Sequence, residues 1–315
     1  MRTLKNFFGG LIIAAGSMAI ILSAVPVEAQ RSDQAYMIRT FDVSQPELID
    51  VNTSGGFVRV YGSDREDVRV EMFVRRNNRY LDDTDISLDD FEIEIDRRGN
   101  TIIAHSKRKS GGWRLWGGNS NISVSFVVYT PRATHLDART SGGSMVANNL
   151  EGDLQLRTSG GSLTLESLAG KIAARTSGGS ITVKDSRGEI DTRTSGGSIH
   201  VDRAEGNLDF RTSGGSIRLA EITGTVSART SGGSINAKLM QVGESVDLST
   251  SGGSITIDLP GDMGYDLDLS GNRVRTELRN FSGEVERNRV VGSINNGGPT
   301  IRARTSGGTV RINYL

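Results

Sequence analysis

The sequence predicts an all-β protein: a parallel β-solenoid, β-helix or β-roll-like, with 18-residue coils and irregular N-terminal cap strands. Three observations predict it. The tetrapeptide Thr-Ser-Gly-Gly starts at Thr140, Thr158, Thr176, Thr194, Thr212 and Thr230, five successive steps of 18 residues; it returns at Thr250 after a step of 20 and stands again at the outlying Thr53 and Thr305. Apolar residues alternate on both sides of it, as in Ile181 and Val183, Ile199 and Val201, and Ile217 and Leu219 after the tetrapeptide, and Leu154 and Leu156, Leu208 and Phe210, and Val226 and Ala228 before the next one. That is the period of a strand with one buried face. A further glycine, at Gly152, Gly170, Gly188, Gly206 and Gly224, falls nine residues after the second glycine of each pair. The unit therefore reads as two half-coils.

Taken from the N-terminus, residues 1–29 read as a signal peptide. Arg2 and Lys5 supply the positive start, Leu11 to Val25 the apolar run, and Val27 to Ala29 the small residues before cleavage at Gln30. The run falls short of the ~20 residues of a spanning helix, and no second stretch of that length follows. The expectation is an exported protein, periplasmic, at the cell surface or secreted, with no transmembrane span after cleavage. Residues 30–138 read as N-terminal strands or cap coils. Leu48 to Arg76 repeats the strand, TSGG, strand order, and Phe91 to Ser106 and Asn121 to Pro131 add alternating strands around a loop insertion at 106–121. Residues 139–315 read as the regular solenoid, continuous with the part before it. Beyond Thr250 the register drifts through "LDLSGNRVRTEL" and "INNGGPTIRARTSGGTVRINYL", expected to be further, degenerate coils ending at the C-terminus.

One such unit buries almost nothing, because two short strands cannot enclose an apolar face. Stacked coils, rising one strand spacing of ~4.8 Å per turn, place each Ile or Val over its counterpart and pair the backbone through the ladder. The Gly-Gly corner is expected to supply positive φ in every coil. By alternation Thr faces inward and the preceding Arg outward, so Thr and Ser hydroxyls should line up near the corner and hydrogen-bond along the stack. Eighteen residues suit a flattened two-sided coil or a triangle of three sides; the nine-residue half-repeat favours two.

Composition narrows the function. Thirty-seven basic and 37 acidic residues give zero net charge, so the whole molecule has no attraction for nucleic acid or an anionic membrane. The absence of cysteine removes disulfides, a lipid-modified cysteine and any thiol nucleophile. His105, His135 and His200 are scattered and show no metal-ligand spacing. The short coils also carry few insertions that would wall a catalytic cleft. No enzyme, cofactor or metal is expected.

Candidate contacts lie on the surface. Arg139, Arg157, Arg175, Arg193, Arg211 and Arg229 precede successive TSGG motifs, and stacking would set them in one outward column ~4.8 Å apart. Like charges so close repel within the ~8 Å screening length. Asp191 and Asp209, two residues before an Arg, and Asp153 and Glu189, four before, share that face. One reading is a self-neutralised ladder of stacked guanidiniums; the other is a linear dock for acidic polysaccharide or lipid phosphate. Trp113, Arg114 and Trp116, between glycine pairs in a basic stretch, either plug the open end of the core or form an exposed tip contacting sugar rings or a membrane interface. Asp83, Asp85, Ser87, Asp89 and Glu94 have some spacing of a calcium loop, but Leu88 stands where that loop needs Gly. The TSGG turns also lack the Asp of calcium-binding nonapeptides.

The TSGG coils, the exported chain and the lead-in "VSFVVYTPRATHLDARTSGG" (Val124 to Gly143) resemble the bacterial putative-adhesin family of β-strand-repeat proteins, a domain of unknown function, over roughly Phe41 to Leu315. The resemblance implies an extracytoplasmic β-solenoid of interaction or structural type and brings no catalytic residues. The expected function is a noncatalytic, adhesin-like binding or structural protein of the bacterial envelope. Acidic polysaccharide, envelope lipid or a surface protein would be its partner. The alternatives are a self-associating envelope scaffold or regulatory partner and, second, a carbohydrate-active enzyme on a β-helix.

Overall fold

In the computed structural model the alternation of apolar residues becomes register. The structure describes residues 35–43, 47–77, 79–82, 86, 88–109 and 121–315, so the signal peptide expected at 1–29 lies outside the described residues. Before each TSGG, Leu136, Leu154, Ile172, Ile190, Leu208 and Val226 stand opposite one another on successive parallel strands. After it, Met145, Leu163, Ile181, Ile199, Ile217, Ile235 and Ile255 do the same. All of these side chains are buried in one cluster. The strands form one hydrogen-bonded sheet with mixed parallel and antiparallel pairing, an all-β, solenoid-like arrangement. No helix among the described residues is long and apolar enough to cross a membrane.

The inward rows are filled by volume rather than by identity. One of them runs Leu156, Ala174, Thr192, Phe210, Ala228, Leu248. Phe210, fully buried, thus sits between two small residues. A large side chain on one strand is thus flanked by small ones on its neighbours, as close packing of the row requires.

The TSGG turn is held by its threonine. The hydroxyl of Thr194 donates to the carbonyl of Gly179 in the preceding turn at 2.8 Å and accepts from the N–H of Gly197 in its own turn at 3.3 Å. Thr158, Thr176, Thr212 and Thr230 repeat both bonds. The serine after the glycines adds a second ladder, with Ser180 Oγ accepting from Ser198 N–H and Ser198 Oγ from Ser216 N–H, each at 3.2 Å. The expected stacking of hydroxyls at the corner is therefore present.

The role expected of the paired glycines is corrected. None of the glycines of the six regular TSGG motifs adopts positive φ. What excludes a side chain is the turn beneath: a Cβ on Gly197 would lie 2.1 Å from the carbonyl oxygen of Gly179, and one on Gly215 would lie 2.1 Å from that of Gly197. Positive φ occurs in the other half of the unit, at Gly152, Gly170, Gly188, Gly206 and Gly224, between 111° and 154°.

Two neighbouring threonines give opposite expectations. Thr192, two residues before Thr194, is also buried, yet its Oγ1 has no hydrogen-bond partner. Thr192→Val removes an unsatisfied hydroxyl at constant shape and is expected to raise stability by about 1 kcal/mol. Thr194→Val strips the bond from the partly buried Gly179 carbonyl and is expected to lower it by about 1–2 kcal/mol. Urea unfolding of the two variants checks the signs.

The ends depart from sequence order. The strand Leu48–Thr53 lies between Thr101–Arg108 and His135–Thr140, and Val58–Ser63 lies between Ile122–Pro131 and Met145–Asn148. At the other end, Thr300–Thr305 lies between Ile235–Thr250 and Tyr265–Ser270, and Thr309–Tyr314 between Ile255–Leu259 and Arg273–Arg275. The outlying motifs thus rejoin the series: Thr53 is opposite Thr140, and Thr250 is opposite Thr305. Antiparallel pairs finish both ends, with Phe91–Arg98 on Thr101–Arg108, Asp67–Arg76 on Ile122–Pro131, and Arg289–Ile294 on Tyr265–Ser270. These strand partners occupy backbone groups that open coil ends would leave unpaired.

Candidate functional site

The six arginines stand in a single row. Arg139 pairs in register with Arg157, and the ladder continues through Arg175, Arg193, Arg211 and Arg229. Two residues earlier, on the same face, a second row runs Asp137, Gln155, Ala173, Asp191, Asp209, Ser227, Asp247. Its acids take up the arginines. Arg193 is bidentate on Asp191 at 2.9 and 3.0 Å, and Arg211 is bidentate on Asp209 at 3.0 and 2.6 Å. Arg139 pairs with Asp137, and Arg229 reaches Asp247 on the next strand at 2.7 Å. Of the acids four residues before an arginine, Glu189 instead pairs with Lys171 at 3.5 Å, and Asp153 donates its backbone N–H to His135 Nδ1 at 3.1 Å. They do not interleave with the arginines.

The neutralisation has one gap. Where the acid row holds Gln155 and Ala173, Arg157 has the Gln155 amide oxygen at 3.1 Å in place of a carboxylate. Arg175 reaches Asp191 only at 3.5 Å, and Asp191 already serves Arg193. Three consecutive arginines share one carboxylate there. Their charge is concentrated on a face that stays accessible, since Arg175 and Arg193 are 48% and 42% exposed.

A second row was missed in the sequence. Asn149, Ser167, Asp185, Arg203 and Glu221 all have left-handed backbones, with φ between 48° and 58°. They turn the chain at the corner opposite TSGG and line an open groove of about 530 Å³. Asn and Asp tolerate this conformation, whereas Arg and Glu pay the steric cost of a Cβ near the following carbonyl. The repeat spacing was therefore the one available signal, because residue type was not. Within the groove Arg203 bridges Asp185, at 2.6 and 3.1 Å, and Asp202, at 2.7 Å.

The hydrogen bond from Arg203, with its charge, holds the Asp185 carboxyl below its ordinary 3.8. A carboxyl depressed in the folded state stabilises fully above the unfolded value, and that contribution is lost as pH falls through the folded one. Asp185→Asn is expected to flatten the stability profile below pH 3.8 while leaving the profile above pH 6 parallel to wild type. Urea midpoints measured across that range check it.

Trp113, Arg114 and Trp116 lie outside the described residues, as do Asp83, Asp85 and Ser87 of the calcium-like spacing. Glu94 pairs with Arg98. No group of three or more His, Asp or Glu placed to hold a metal occurs among the described residues. The histidines stay apart: His105 Nε2 lies 3.1 Å from Asp50, while His200 is exposed opposite Thr182 and Arg218.

Comparison with known proteins gives a family and a set of similar folds. The family model described as Toastrack DUF4097 matches residues 47–313. No curated protein matches the chain. Among solved structures, a putative adhesin from Bacteroides fragilis is 14% identical, with 89% of this chain and 96% of that one covered at a TM-score of 0.41. A putative adhesin from Parabacteroides merdae is 12% identical, with 88% and 95% covered at 0.44. A putative lipid binding protein from Parabacteroides distasonis is 17% identical, with 89% and 96% covered at 0.39.

Proposed function

The chain belongs to the Toastrack DUF4097 family, and on that premise we propose that it is a noncatalytic, adhesin-like binding or structural protein of the bacterial envelope. Residues 1–29 export it, 30–138 form the N-terminal cap, and 139–315 form a solenoid of two-sided, 18-residue coils working outside the cytoplasm. The observation that carries this reading is the parallel register of the arginine row, Arg139 to Arg229. A surface that repeats the same outward side chains at strand spacing suits a long, repetitive or flat partner better than a small molecule. Of the two roles considered for the arginines, the ladder of Asp pairs supports self-neutralisation along most of the row.

A second reading rests on the gap in that ladder. Around Arg157 and Arg175 the missing acids leave positive charge that an acidic polysaccharide could take bidentately. The test is binding of the mature chain, Gln30 to Leu315, to acidic and neutral glycans and envelope lipids at low and physiological salt. Docking at the gap predicts that Arg157→Glu with Arg175→Glu abolishes salt-sensitive binding to acidic glycans, whereas Arg211→Glu leaves most of it. Equal loss from both changes would shift the contact to the whole row. Silence across the array, with a concentration-dependent increase in sedimentation coefficient, would favour the self-associating scaffold.

A further inference from the structure

The strands that finish the two ends have outer edges of their own. Those with a strand partner on one side only, among the described residues, are Met37–Asp42, Arg79–Leu81 and Phe91–Arg98 at one end and Arg273–Arg275 and Phe281–Val285 at the other. An edge is kept from pairing with another chain by inward-pointing charge or by being very short. Four of these five have such a device. Arg39 stands on the core side of Met37–Asp42, opposite buried Val70, and Arg97 on the core side of Phe91–Arg98, opposite buried Ile102. Arg79–Leu81 and Arg273–Arg275 are three residues each. Phe281–Val285 has neither: it is five residues long, and Phe281, Gly283 and Val285 occupy its core side, opposite Ile294, Gly292 and Val290.

This bare edge is also the outermost. From Ile235–Thr250 one wall continues through Thr300–Thr305, Tyr265–Ser270 and Arg289–Ile294 to Phe281–Val285. The other runs through Ile255–Leu259 and Thr309–Tyr314 and stops at Arg273–Arg275, one strand sooner. Residues 282–285 are accordingly exposed, Val285 by 57%. The backbone is aimed outward as well. Glu286 and Arg289 exchange N–H to carbonyl bonds at 2.7 and 3.4 Å, and Asn295 donates its N–H to the Asn280 carbonyl at 3.3 Å. Alternation along an antiparallel pair therefore turns Ser282 and Glu284 toward Arg289–Ile294, and Phe281, Gly283 and Val285 toward the free edge. There the N–H and C=O groups of all three lack a partner among the described residues.

From this edge we infer that two copies of the chain join into a closed pair, Phe281–Val285 of each lying antiparallel to the other about a two-fold axis at Gly283. The occupant is a second copy because the strand is complementary to itself. In this register Phe281 of each copy faces Val285 of the other, so the exposed apolar side chains gain cross-strand partners. Glu284 faces Ser282 rather than the second Glu284, and no like charges oppose within the strand. The residues that meet in bonded pairs are Phe281, Gly283 and Val285, those whose backbone groups point outward. Asn280, with φ 46°, and the reversal at Glu286 end the strand on either side. A two-fold contact of this kind uses up both edges and admits no third copy. The pair goes beyond the binding proposed for the arginine row and stands whether or not that row takes a glycan.

The test is sedimentation equilibrium of the mature chain over a wide concentration range, and the expected result is a reversible monomer–dimer equilibrium. Val285→Lys gives this edge the inward charge that the opposite end has, at a position exposed enough for the folded monomer to accept it; it should weaken the dimer at least tenfold. Ile38→Lys, at an exposed position of Met37–Asp42, should leave it unchanged. Register is read by cross-linking, since the chain has no cysteine of its own. Ser282→Cys with Glu284→Cys places two thiols opposite each other across the pair, on Cα atoms about 4.5 Å apart, within disulfide reach. A covalent dimer should form on oxidation, and Ser282→Cys alone should give far less. A monomer at every concentration, assemblies larger than two, a dimer indifferent to Val285→Lys, or no cross-link from the double variant would each overturn the inference.

Discussion

Gly197→Ala is expected to lower the unfolding free energy by about 3 kcal/mol or more, while Gly196→Ala, one residue away in the same tetrapeptide, should cost less than about 1 kcal/mol. The two glycines differ in what lies beneath them. A Cβ at position 197 would meet the Gly179 carbonyl oxygen at 2.1 Å and the Ser180 nitrogen at 2.6 Å, whereas one at 196 would find its nearest atoms at 3.5 Å. The obstructing atoms at 197 are backbone of a turn fixed by its own hydrogen bonds, so no rotamer change relieves the overlap. Relief requires prising two turns apart, which breaks the Thr194 bridge to Gly179 as well. If both substitutions proved equally mild, the turns would be less closely stacked than described; thermal or urea unfolding of the pair decides it.

Phe210→Ala should be of similar size, about 3–5 kcal/mol. Phe210 is fully buried and is flanked in its row by Thr192 and Ala228, neither of which is large enough to fill the vacated space. The loss should be partly recoverable from the adjacent coil. Adding Ala228→Leu to Phe210→Ala returns volume to the same row and is expected to restore about a third to a half of the lost stability. A double variant no more stable than Phe210→Ala alone would show that each coil is packed independently.

Much of this architecture was legible in the sequence. The alternation around TSGG gave the strands, their faces and the row of arginines, because each follows from a period that the chain repeats with little variation. The left-handed corner was not legible. Asn149, Ser167, Asp185, Arg203 and Glu221 share a backbone conformation but no side-chain chemistry, and solvent on their outer side lets the type vary. The return of the outlying motifs was hidden for a different reason, since pairing between distant segments leaves no local period. A trace of it existed even so. Thr53 and Thr305 each precede Ser-Gly-Gly, the tetrapeptide whose hydroxyl and second glycine sit against a neighbouring layer of backbone. At Thr305 the hydroxyl does reach the Gly253 carbonyl, at 2.7 Å. The acid row was only half read: Asp191 and Asp209 were found, while the gap at Gln155 and Ala173 gains meaning only once the strands are in register. The bare edge at Phe281–Val285 had no sequence signal, because it arises where pairing between strands stops.

The displaced ends bear on how the chain acquires its shape as it emerges from its N-terminus. Repeat arrays can ordinarily grow by adding each finished unit to the one before, and N-terminal segments begin to fold first. Here the segment 48–63 cannot reach its final place until 101–131 and 135–148 have both appeared, since it lies between them. The last residues, 300–314, must enter between 235–259 and 265–275, which precede them in the chain. Stepwise growth is therefore available to the middle of the molecule alone. The two outer sections close late, by insertion, the second of them only once residues 300–314 have been made.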